Sequence, residues 1–209
     1  MHQPRKWFAA IVIALCALSL TACSRDPITL PPLAHDAVVL AFGDSLTHGT
    51  GAKTEESYPA VLAKLIGRSV VNSGIPGEVS AEGLKRLPEV LEAVKPRLLI
   101  LCHGGNDMLR KLDKNQLRQN LIAMVQTAQS RDIDVVLLGV PEPTLLMRST
   151  APVYLEVAEH LNLPIEADKI TEIESDNDLK ADHVHPNGEG YRQLAHAVAD
   201  LLRRSGAIH

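Results

Sequence analysis

Continuous apolar runs, separated by longer stretches of helical periodicity, organise this chain. The runs at 37–42 (AVVLAF), 69–71, 97–102 (RLLILC) and 135–138 (VVLL), with a weaker one at 163–165, are predicted to be strands. They do not alternate apolar with polar residues, so they read as strands covered on both faces. Between them, the stretches 58–66, 81–94 and 114–130 carry helical spacing. In the third, Leu117, Leu121, Met124, Val125 and Ala128 fall on one face. Pro88 interrupts the second and is expected to restart it, since proline suits the first turn of a helix. The clearest helix closes the chain. Tyr191, Leu194, Ala195, Val198 and Leu202 form its apolar stripe, Arg203 and Arg204 lie in its last turn, and Gly206 ends it. Strand–helix alternation of this kind predicts an α/β sandwich with a mostly parallel sheet. Such sheets hold their ligand sites beyond the carboxyl ends of the strands.

The N-terminus departs from this pattern. Arg5 and Lys6 precede an apolar run of about 14 residues, short of the ~20 that a spanning helix needs, so the run reads as the core of a signal peptide. The small residues of LTAC before Cys23 resemble a bacterial lipobox, which implies residues 1–22 as a lipoprotein signal peptide and lipidation at Cys23. Ser24 follows rather than Asp, which resembles lipoproteins sent to the outer membrane. The expected location is therefore the cell envelope, lipid-anchored and facing the periplasm. Residues 23–36 then form a Pro-rich tether, and 37–205 form one domain. Cys16 leaves with the signal and Cys23 carries lipid, so Cys102 has no disulfide partner in the mature chain.

Charge and composition remove other classes of function. The formal net charge is −4 with no basic stripe, and aromatic residues make up 3%. Nucleic acid is excluded as a partner on the first count, and a stacking platform for bases on the second.

Four polar segments sit where the sheet should place its site. GDSLT (43–47) follows the first strand, NSG (72–74) the second, GGND (104–107) the third, and DHVHP (182–186) precedes the last helix. Each alone is an ordinary loop sequence. Together they supply a nucleophile in Ser45, a base and a group to orient that base. Ser45 lies in G-x-S-x-T, which lacks the elbow of α/β-hydrolases. The base is assigned to His185, with Asp182 three residues earlier able to fold back and accept its ring N–H. His183 is the rival, but it adjoins Asp182, where reaching around is harder. His103 reads as a hydrogen-bonded loop histidine, and His48, His160 and His196 as surface residues.

In this order the four segments resemble the SGNH hydrolase superfamily (GDSL esterases). They are most similar to its thioesterase I/lysophospholipase/arylesterase branch, over residues 38–202 and most strongly in GLKRLPEVLEAVKPRLLILCHGGND. The resemblance implies a flavodoxin-like fold, a three-layer α/β/α sandwich on a roughly five-stranded sheet. Its DxxHP pattern selects His185 over His183. It also implies an oxyanion hole made of the Ser45 and Gly74 backbone N–H groups and the Asn106 side-chain amide. The loop 141–153 matches a segment that borders the acyl pocket in relatives, so Leu145, Leu146 and Met147, with Met108 and Leu109 past the third block, are expected to bind substrate. The expected activity is hydrolysis of short- to medium-chain acyl esters or thioesters, with small-molecule or lipid substrates, no metal and no cofactor. A monomer is expected. Deacetylation of a cell-wall or extracellular polysaccharide, and a non-catalytic binding lipoprotein, are the alternatives.

Overall fold

The computed structural model describes residues 28–142 and 149–209. Five strands, β1 (Val38–Gly43), β2 (Ser69–Gly74), β3 (Leu98–Cys102), β4 (Asp134–Leu138) and β5 (Ile165–Glu166), form one sheet in the order β2-β1-β3-β4-β5. Every pairing is parallel. This is the doubly wound order in which the strand order reverses between β1 and β3. Among the described residues eight α-helices accompany the sheet: α1 (Ser45–His48), α2 (Tyr58–Ile66), α3 (Ser80–Val94), α4 (Gly105–Leu109), α5 (Lys114–Gln129), α6 (Pro152–Leu161), α7 (Lys169–Ser175) and α8 (Gly188–Arg204). Helix α2 packs with α8, whereas α5 packs with α3 and α6. Right-handed crossovers from this strand order place those two groups on opposite faces of the sheet, giving three layers.

The central strands match their apolar runs. All of β3 is buried, as is β1 after its first residue, because helices cover both faces. The edge strand β2 differs: none of its residues is fully buried, and it runs three residues beyond its apolar stretch. Polar Asn72 and Ser73, with Gly74, are drawn into the ladder by their partners on β1, in the register Ala41↔Asn72, Phe42↔Ser73 and Gly43↔Gly74. Gly43 also pairs with Cys102, so the ends of β2, β1 and β3 finish level. Only glycine fits at this junction. A Cβ on Gly43 would lie 1.9 Å from the Cys102 carbonyl oxygen, and one on Gly74 would lie 2.1 Å from the His48 nitrogen.

Two expectations on helices need correction. Pro88 does not restart a helix; α3 runs through it from Ser80 to Val94. Proline costs one backbone hydrogen bond there, but Ser80, Gly83, Leu87 and Leu91 keep one buried stripe across it. Burying that stripe outweighs the lost bond. The stretch 141–153 is not loop throughout, since α6 begins at Pro152, which occupies its first turn. Tyr154, Val157 and Ala158 of α6 are buried, and α6 packs on α5.

The segment read as a tether is docked in its described half. Leu30 and Leu33 donate backbone N–H groups to Ser205 and Ala207 at 2.7 and 2.8 Å, and Arg68 donates to the carbonyls of Leu33 and Ala34. Leu33 is buried against the core. The chain therefore enters the domain beside the C-terminal end of α8, at the amino-terminal ends of the strands, opposite the ends just described. Among the described residues no helix is long and apolar enough to cross a membrane. Cys23 and residues 1–22 lie outside them.

Candidate active site

Ser45 is the first residue of α1, delivered there directly by β1. Asp44 before it caps that turn, its Oδ1 accepting the Leu46 N–H at 3.1 Å. Asp44 is buried, and burial raises its carboxyl above the usual range despite the nearby His103 and His185. Ser45 itself is only partly covered.

The opposite wall is the loop before α8. It closes on itself through the Lys180–Pro186 bridge and an Ala181 N–H to His185 carbonyl bond of 2.9 Å. Asn187 then caps α8 by accepting the Gly190 N–H at 3.0 Å. Within this loop the Asp182 carboxylate accepts the backbone N–H groups of Val184 and His185, both at 2.8 Å. Its Oδ2 lies 2.7 Å from His185 Nδ1. Slight burial works against ionisation of Asp182, but the His185 ring and these backbone N–H groups outweigh it and hold the carboxyl at about 2. An ionised carboxylate only accepts, so Nδ1 carries the hydrogen and Nε2 presents a lone pair. That lone pair faces Ser45 Oγ at 3.0 Å. The structure thus brings Ser45, His185 and Asp182 into one chain of hydrogen bonds. His183 is not part of it; it is exposed and borders the cleft beside Ser45.

The three sites assigned to the oxyanion hole differ in what they already bond. The Ser45 N–H lies in the first turn of α1, where an N–H has no partner within the helix. The Gly74 N–H donates to Asn72 Oδ1 at 3.0 Å, so it is occupied in the resting chain. Asn106 shares the cleft with Ser45. Its Nδ2 donates to the Glu78 carbonyl at 3.1 Å and makes a longer contact, 3.4 Å, with Asp44 Oδ2. The neighbouring Asp107 serves the scaffold instead: it is buried and accepts both the N–H and the hydroxyl of Ser80, pinning the start of α3.

The cleft is walled by Leu46, Gly105, Leu109, Val140, Pro141 and Val184. Leu109 therefore lies on the cleft. Met108 does not: it is buried, and it lines a separate hollow with Leu117, Ala151 and Val153. One helical step separates the two, which turns them to different sides of α4. Leu145, Leu146 and Met147 lie outside the described residues. The described residues on either side of them are joined by the Pro141–Thr150 bridge and a Glu142 N–H to Ser149 carbonyl bond of 3.1 Å.

His48, His160 and His196 are exposed, as expected. His103 is fully buried and hydrogen-bonded to Glu78 through Nε2, which matches its reading as a hydrogen-bonded loop histidine, while its Nδ1 is buried without a partner among the described residues. Glu78 and Arg86 escaped the sequence reading. Their one signal was an arginine on the partly buried side of an amphipathic helix, which a solvated charge explains equally well.

Comparison with known proteins fits this geometry. The GDSL-like Lipase/Acylhydrolase family matches residues 41–193. The chain is 38% identical over 132 residues to the Pseudomonas aeruginosa esterase TesA, covering 61% of this chain and 65% of that protein, so the match spans just under two thirds of that relative. It is 28% identical over 172 residues to the Escherichia coli thioesterase 1/protease 1/lysophospholipase L1, covering 79% and 83%. The crystal structure of TesA superposes with a TM-score of 0.71 at 30% identity, covering 79% of this chain and 98% of that one. AlinE4, described as an SGNH-hydrolase family esterase, superposes at 0.65 with 32% identity over 83% and 98%.

Proposed function

The chain belongs to the GDSL-like lipase/acylhydrolase family, and from that premise we propose that it is a lipid-anchored serine ester hydrolase acting on short- to medium-chain acyl esters or thioesters. The observation that carries the reading is the relay from Ser45 Oγ through His185 to Asp182, at 3.0 and 2.7 Å. In the proposed cycle Ser45 Oγ attacks the acyl carbonyl carbon while its proton passes to His185 Nε2. Asp182, ionised through the neutral range, stabilises the imidazolium. The carbonyl oxygen becomes an oxyanion facing the Ser45 N–H and the Asn106 amide, and Gly74 joins them once its N–H leaves Asn72. Collapse breaks the bond to the alcohol or thiol, which departs with the proton held by His185. Water, activated by the same nitrogen, then adds to the acyl-enzyme and frees the acid and Ser45.

An apolar cleft beside Ser45 supports an acyl group rather than a sugar as the bound portion. Rates for p-nitrophenyl esters of two to sixteen carbons, set beside acetylated sugars, test this. Turnover is expected to peak among the short and medium esters; cleavage of the acetylated sugars alone would overturn the reading. Aligned Ser45, His185 and Asp182 also argue against a binding protein that has lost catalysis.

The anchor belongs to the same proposal. Four residues lie between Cys23 and Ile28, where the described chain begins, and the five steps along them reach roughly 18 Å at most. The chain then enters at the amino-terminal ends of the strands, opposite the cleft, and the length of β1, about 20 Å, lies between. With Cys23 as the anchor, these lengths support a site turned from the anchoring leaflet, and with it esters that diffuse to the site over lipids of that leaflet. An alkyne fatty acid is expected to label the protein in cells, and Cys23→Ala to abolish the label. Unlabelled mature protein in the periplasmic fraction would sink the anchor.

A further inference from the structure

Behind the cleft lies a largely buried ion pair that takes no part in the relay. Glu78, in the loop between β2 and α3, is almost fully buried. Arg86 of α3 grips its carboxylate with a two-point fork, Nε to Oε1 at 2.8 Å and NH2 to Oε2 at 2.6 Å. His103, fully buried just after β3, adds its Nε2–H to Oε2 at 3.1 Å. Burial would raise the Glu78 carboxyl, but these donors prevail and hold it at about 2. The guanidinium plane lies over the Phe42 ring, 4.1 Å from its centroid. Gly83 leaves the space that His103 fills, since a Cβ there would lie 2.3 Å from Nε2.

Each member of the pair continues to one oxyanion donor. Arg86 also donates to Ser73, through NH1 to the hydroxyl at 2.7 Å and through NH2 to the carbonyl at 3.2 Å. That carbonyl belongs to the peptide group whose nitrogen is Gly74. Because the peptide is planar, fixing its C=O fixes the direction of the Gly74 N–H. A donor on the carbonyl also polarises the group and strengthens the N–H at its other end. Glu78 reaches the second donor through its main chain: its carbonyl accepts one hydrogen of the Asn106 amide at 3.1 Å. Its own N–H is held by the Ile75 carbonyl at 3.2 Å, so both polar groups of this residue are tied. With one amide hydrogen committed, rotation of the Asn106 amide is stopped. The second hydrogen keeps only the long Asp44 contact, which a developing oxyanion can replace.

We infer that the Glu78–Arg86 pair, braced by His103, is the positioning element of the oxyanion hole, setting the Gly74 and Asn106 donors together. Buried ion pairs are weak sources of net stability, because desolvation cancels most of the attraction. What this one supplies is fixed geometry, where small displacements are costly to catalysis. The inference rests on the serine hydrolase reading.

A double-mutant cycle between Glu78→Gln and Asn106→Ala tests it, with kcat and KM measured on the best p-nitrophenyl ester and Tm followed alongside. Gln keeps the main-chain carbonyl, so its effect must come from lost bracing. Asn106→Ala is expected to lower kcat about 10²- to 10³-fold. Glu78→Gln is expected to lower kcat about 10- to 100-fold with KM nearly unchanged. In the Asn106→Ala background it should cost distinctly less, because only the Gly74 donor is left to misplace. Arg86→Lys, which cannot hold Glu78 and Ser73 at once, serves in the same cycle if Glu78→Gln does not fold. A lowered Tm with unchanged kcat, or losses that simply multiply, would overturn the positioning role. An unsubstituted protein inert toward every ester would overturn the esterase reading and the positioning role with it.

Discussion

Ser45→Ala is expected to lower kcat by roughly three to six orders of magnitude with the fold intact, as when other hydrolytic nucleophiles are removed. Ser45 is partly exposed at the first position of a four-residue helix, and its hydroxyl has His185 as partner. Deleting that oxygen removes the attacking atom without opening a core cavity. Tm and circular dichroism should therefore stay close to those of the parent protein. A fluorophosphonate probe should label the parent at Ser45 and leave the variant unlabelled. A variant that keeps more than about a tenth of the parent rate would show that another group attacks, and would remove Ser45 from the mechanism.

His185→Ala is expected to do comparable damage, and His183→Ala far less. The two differ in geometry rather than chemistry. Only His185 has its Nδ1 on Asp182 at 2.7 Å and its Nε2 on Ser45 at 3.0 Å. His183 lines the cleft and is exposed, so its loss should appear mainly as altered KM across esters. Without His185, Ser45 has no base and Asp182 no ring to orient, so kcat should fall while KM holds. Equal loss of kcat in both variants would overturn this assignment of the base.

What was legible in the sequence follows from how local each cause is. The continuous apolar runs of β1 and β3 announced strands covered on both faces because burial there is nearly complete. The Asp182–His185 pair was legible because three residues separate them and one closed loop sets their distance. Which side of α4 Met108 takes was not legible, for the converse reason. It and Leu109 are equally apolar neighbours, and only the packing of α4 decides which one faces the cleft. Pro88 misled because a local rule about proline says nothing of the buried stripe that carries α3 past it.

By itself the sequence determined the central strands β1, β3 and β4 and the long helices α2, α5 and α8, and that Gly, Ser and Asn stand just past strands and His before the last helix. These are consequences of hydrophobic period and of residue chemistry, which act within a few positions along the chain. The tertiary structure alone decided three other things. It brought His185 to Ser45 across 140 positions, since only the packed sheet and α8 set that approach. It extended β2 through three residues with no strand signal, because the ladder with β1 supplies their hydrogen bonds. It also joined His103, Glu78, Arg86 and Ser73, from the residue after β3, a loop, α3 and β2, into one largely buried network. Charges scattered along a chain reveal no partner until burial removes water and leaves each group only its neighbours to bond.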